Sequence, residues 1–104
     1  MPKVRLTEEA AEELEQAALW YEQECTGLGE KFVDAVESGL TLLRDDFPPL
    51  VPVDGEAGKK GVEQILLHQF PFSLIVLPGK NEMVVIAIAH QSRKPFYWSD
   101  RIST

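Results

Sequence analysis

The chain has 104 residues, of which 44% are hydrophobic and 26% charged, a balance that predicts one globular domain, 1–104, burying its own core. A net charge of −7 argues against unassisted binding to bare nucleic acid, and Cys25, the single cysteine, rules out an internal disulfide or a thiolate metal cluster. The opening MPKVRLTEEA has no basic-then-apolar leader and the longest apolar run is Met83 to Ala89, so neither a secretory signal nor a membrane contact is expected, and a reducing cytoplasm is the expected location.

Lys3 to Leu6 alternates like a short strand, and Thr7 followed by Glu8 and Glu9 reads as a helix N-cap with acids on the positive end of the helix dipole. Ala11, Leu14, Ala18, Tyr21 and Cys25 recur at helical spacing, and Thr26-Gly27 ends the helix. The pairs Glu8-Glu9 and Glu12-Glu13 are assigned to its solvated face. A second helix is predicted from about Glu30 to Arg44, with Phe32, Val36, Leu40 and Leu43 buried, so the two helices form an antiparallel hairpin.

Residues 48–61, PPLVPVDGEAGKKG, have no period and read as a loop. Three strands are predicted after it, Val62 to Gln69, Phe72 to Leu77 and Glu82 to His90, divided by Phe70-Pro71 and by Pro78-Gly79-Lys80-Asn81. These strands are apolar on both faces, yet the hairpin can cover only one. The second face therefore calls for a partner, either a second copy of the chain or another protein, unless Phe96 and Trp98 fold back over it.

Charge is divided unevenly. Residues 1–50 carry 4 basic and 12 acidic side chains, a net of −8, and residues 51–104 carry 6 and 5, a net of +1. The positive charge gathers in 90-HQSRKPFYWSDR-101, where Arg93, Lys94, Phe96, Tyr97, Trp98 and Arg101 combine cations with rings. That combination suits holding a phosphate and stacking a base, or meeting a protein partner, and His90 is a candidate proton-transfer group at the strand end. A structural reading stands beside it, in which Phe96 and Trp98 plug the core and Arg101 pairs with an acid of the first helix. Two histidines without fitting carboxylates give no metal site, and no cofactor motif is present.

The layout of a strand, a helical hairpin and a three-stranded meander, with LTEEAAEELEQAALWYEQE, FPF and VVIAIAHQSRKPFYW, resembles the RelE/ParE toxin superfamily, often labelled plasmid stabilisation proteins. The resemblance implies an α+β fold of order β-α-α-β-β-β, with the hairpin packed on a mainly antiparallel sheet and a short C-terminal tail. It also implies a toxin neutralised by a cognate antitoxin. RelE-like members cleave messenger RNA at the ribosome, which would make Arg93, Tyr97 and His90 the catalytic candidates and Lys94, Phe96, Trp98 and Arg101 binding residues. ParE-like members poison DNA gyrase. Ser73 stands where the ribonucleases carry an arginine, and Glu63, Gln64, His68 and Gln69 stand where their preceding strand is basic, so the gyrase-type reading is preferred; an inactive scaffold is the third alternative.

Overall fold

A computed structural model describes residues 2–102, with the element order β1 (Lys3–Leu6), α1 (Glu8–Glu24), α2 (Leu28–Leu42), β2 (Val51–Pro52), α3 (Gly55–Lys59), β3 (Glu63–Leu66), β4 (Phe72–Pro78), β5 (Glu82–His90) and a closing 3-10 turn at Ser99–Arg101. The α+β architecture is the expected one. The strands form one mixed sheet in the order β1-β5-β4-β3-β2, antiparallel except where β1 runs parallel to β5 with Leu6 opposite Val85.

Thr7 caps α1 by accepting the Ala10 N–H at 3.2 Å, leaving Glu8 and Glu9 in the first turn beside the unpaired amides. At the other end the Glu22 carboxylate reaches over the turn and accepts the N–H groups of Gly27, at 2.9 Å, and Gly29, at 3.0 Å. Gly27 takes a φ of 90°, which a side chain would disfavour, and so sends the chain sharply back into α2. Phe32, Val36 and Leu43 are buried as their spacing predicts. In α1 the inward face starts at Ala10 rather than Ala11, and Cys25 is exposed because the helix has already ended.

The helices cover one face of the sheet over Ile65, Leu74, Val76, Val85 and Ile88. Tyr21, Phe32, Phe70 and Phe72 close this layer as an aromatic group, with Phe32 and Phe72 centred 4.9 Å apart. Phe70 and Phe72 flank the predicted turn, where β3 ends earlier than the expected Gln69: the Leu67 N–H bonds to the Phe72 carbonyl at 2.9 Å.

The stretch expected to be a loop is partly structured. Val51–Pro52 pairs with β3, and Gly55–Lys59 makes one helical turn, too brief for any hydrophobic period to register. Its purpose is burial: Val53, Ala57 and Val62 lie over Ile75, Val84, Ile86, Ala87 and Ala89 on the second face of the sheet. Trp98, only 4% exposed, completes that layer from the tail. The chain thus covers the second face itself, and the partner expected on that ground is not needed there.

One irregularity in β5 sets up everything that follows. Ile75 faces Ala87 and Val76 faces Val85, so Ile86 is an extra residue, a bulge. Past it the alternation reverses phase: Ile86 and Ala87 both join the second layer, and Ile88 turns toward the helices. The bulge also leaves main-chain groups of Ile86 and Ile88 on the β1 side of β5, beyond the point where β1 ends at Leu6.

Candidate functional site: the tail and the groove beside it

Those two main-chain groups are satisfied by side chains. The Ile88 N–H donates to Glu13 Oε1 at 3.1 Å, and Arg101 Nη1 donates to the Ile86 carbonyl at 3.0 Å. Glu13 and Arg101 also pair with each other at 2.9 and 3.3 Å, a two-toothed ion pair that takes the place of the next residues of β1. Tyr97 donates its hydroxyl to Glu13 Oε2 at 2.5 Å, and Arg93 approaches the same oxygen at 3.4 Å. One carboxylate, its side chain only 13% exposed, therefore anchors the whole tail.

Glu13, expected on the solvated face of the first helix, is instead the residue that anchors the tail. Its neighbours in the chain are solvated glutamates, as expected, but α1 lies against β5 so that this position alone turns toward the strand edge. The expected alternative in which Arg101 pairs with an acid of the first helix is what the geometry contains. Helical spacing offers one signal, since Glu13 stands three residues after the buried Ala10 and four before the part-buried Ala17, whereas Glu12 points away; the Arg101 pairing, which spans 88 residues, has no local mark.

The electrostatics follow from this anchor. Burial, then the hydrogen bond to Glu13, pushes the Tyr97 hydroxyl well above the usual tyrosine range, and the two arginines only partly offset it. Arg101 is acted on first by burial, which lowers it, but the Glu13 bond and charge outweigh that and hold it above its ordinary value. The Arg93 guanidinium lies 3.6 Å from the centre of the Tyr97 ring, covering one face of it.

The other candidates lie apart from this cluster. His90 ends β5 with its ring edge toward Phe72 at 5.0 Å, and its Nδ1 is bonded to the Ser92 N–H at 3.0 Å and to the Ser92 hydroxyl at 2.8 Å. Lys94 is exposed. Phe96 is exposed too, at 42%, and Trp98 is the core plug, so the two rings that were grouped as binding residues have opposite fates. The cause is backbone: Phe96 takes a φ of 63°, which turns the chain inward and delivers Trp98 to the sheet. Arg101 is drawn into the ion pair rather than offered to a ligand.

Between the tail and the β2–α3 segment runs a groove of about 340 Å³. Its floor is the second face of the sheet where Ser73 pairs with Ala89, two small residues; Leu66 and Asp54 stand on one side, Lys94 and Phe96 on the other. Exposed apolar side chains also occur on the helical side, at Leu19 and Trp20 on α1 and at Leu42, beside a second groove of about 430 Å³ shared by α2 and β3. Among the described residues no three His, Cys, Asp or Glu side chains stand together as a metal would need, and no helix is long and apolar enough to cross a membrane.

The family model for the ParE toxin of the type II toxin-antitoxin system, parDE, matches residues 4–95. The chain belongs to the ParE toxin family. Membership makes it the toxin component of a two-protein system and gives it an antitoxin as partner, and it favours the ParE branch over the RelE one. A solved structure described as the chromosomal ParDE TA system from P. aeruginosa has the same fold, with a TM-score of 0.73 and 20% identity over 86% of this chain and 96% of that one. No curated protein matches the chain. The ParE match ends at Pro95, so the ring-bearing close of the tail, Phe96 to Trp98, and the Arg101 anchor lie beyond it.

Proposed function

We propose that this ParE-family chain acts in the cytoplasm by binding a protein target, DNA gyrase, and not by cutting RNA. The observation that carries the reading is the state of the tail. In a ribonuclease, a tyrosine and arginines would be aimed at the scissile phosphate; here Tyr97 and Arg101 are spent on Glu13, and Arg93 rests on Tyr97. Tyr97 would have to move a proton in the reaction, but its surroundings oppose ionisation. Ser73 supplies a hydroxyl where the chemistry would call for a cation, and a missing preorganised donor costs about a hundredfold in rate or more. What remains is a surface with one exposed ring, Phe96, beside the cations Arg93 and Lys94, suited to binding. The exposed apolar positions on α1 and α2 are surfaces for the antitoxin to cover.

The reading is tested by adding the purified chain to a gyrase supercoiling reaction, with and without its antitoxin. Supercoiling should fall with increasing chain and recover with antitoxin. Full supercoiling at every concentration of the chain would refute gyrase as the target.

A further inference from the structure

Three features of the groove beside the tail leave binding groups facing it. Ser73 is 5% exposed and lines the floor, and its hydroxyl, bonded to no group of the described residues, is open to the groove and not sealed in the core. Phe96 carries a left-handed backbone, φ 63°, that a bulky side chain disfavours, and still leaves its ring 42% exposed on the groove wall. The turn that carries Trp98 into the core thus leaves the Phe96 ring on the groove wall. Arg93 and Lys94 stand on the same wall, in a chain whose net charge is −7.

We propose that this groove seats an extended acidic segment of the toxin's protein target. A carboxylate of the segment would meet Lys94 and the outer side of Arg93, an apolar side chain would lie over the small Ser73–Ala89 floor between Phe96 and Leu66, and the Ser73 hydroxyl would bond a polar atom of the segment. The inference rests on the protein-binding reading and gives it a surface and a chemistry.

Charge decides the class of occupant. A nucleic-acid strand brings one negative charge per residue and gains most of its affinity from many cations. Here Arg93 is already shared with Glu13 and covers a face of Tyr97, so that ring is not free to stack a base, and Asp54 on the opposite wall limits the groove to a single anionic group beside Lys94 and disfavours a run of phosphates. Lys94 is left with about one unit of positive charge to satisfy, which one carboxylate matches. The apolar walls suit a peptide: Leu66, 53% exposed, faces the groove with no packing role on that side.

The test is selection of a random-peptide library displayed on phage against the purified chain, followed by affinity measurement with a labelled copy of the enriched peptide. Enriched sequences should pair Asp or Glu with a bulky apolar residue. Lys94→Glu should weaken binding about tenfold or more, whereas Lys80→Glu, the same charge change in the turn at the far end of β4 and β5, should leave it within about twofold. Phe96→Gly should also lose the peptide while keeping its melting temperature within a few degrees, since relief of the left-handed strain offsets the lost ring contact. No enrichment, enrichment without acids, equal loss from Lys80→Glu and Lys94→Glu, or displacement of the peptide by a single-stranded RNA oligonucleotide would each overturn the proposal. The supercoiling reaction separates the two readings. If Lys94→Glu and Phe96→Gly inhibit gyrase as well as the unaltered chain does, the groove is wrong and the gyrase reading stands. If the peptide behaves as expected but supercoiling is untouched, the groove stands and gyrase is the wrong target.

Discussion

At the scale of single residues, Glu13 has more depending on it than any other polar side chain of the described chain. It fills the place of a missing strand residue, neutralises Arg101 and fixes Tyr97. Glu13→Ala would strand a largely buried guanidinium and a strand amide together, a loss of about 3 kcal/mol, to be measured by denaturant unfolding. Glu12→Ala, one position away on the exposed face, should change stability by less than about 0.5 kcal/mol. Tyr97 gives a pH signature with a definite sign. Its folded-state value is raised above the unfolded one, so its contribution is complete below about pH 10 and is lost as pH rises further, because the unfolded chain releases the proton first. Melting temperatures followed into the alkaline range should fall, and Tyr97→Phe should remove part of that fall; an unchanged slope would contradict the buried, Glu13-bonded hydroxyl.

At the scale of elements, the sequence was legible wherever one period ran unbroken. The stripe Phe32, Val36, Leu43 and the bounds of β5, Glu82 to His90, are both as expected. Two things were hidden. The turn of helix at Gly55–Lys59 is too short to show a period, and it forms because Ala57 and Val62 find the second face of the sheet. The bulge at Ile86 leaves no mark in VVIAIAH, since every residue there is apolar on either face, yet it decides which side chains meet the helices and which reach the groove. The same blindness made the second face look unpartnered. The hairpin offers a sharper test: a Cβ on Gly29 would stand 2.5 Å from the Ala18 carbonyl oxygen, a backbone atom that cannot swing away. Gly29→Ala should therefore destabilise the fold by about 1–3 kcal/mol, visible as a melting temperature several degrees lower.

At the scale of the whole molecule, the acidic first half and the slightly basic second half are brought into contact. The negative helix α1 lends one glutamate to hold the positive tail, and the tail in turn closes the second core with Trp98. Of the six residues of the expected cluster, Arg93, Lys94 and Phe96 are exposed, whereas Tyr97, Trp98 and Arg101 are held by the fold. Residue types alone could not divide the cluster, because the dividing contacts join positions more than 80 apart. Under the proposed function this arrangement binds a protein target and does not cut RNA. The most direct test is to incubate the purified chain with ribosomes programmed with a messenger RNA and map the RNA ends. The messages should remain intact at every concentration of the chain; cleavage within the ribosomal A site that disappears in Tyr97→Phe would contradict the account.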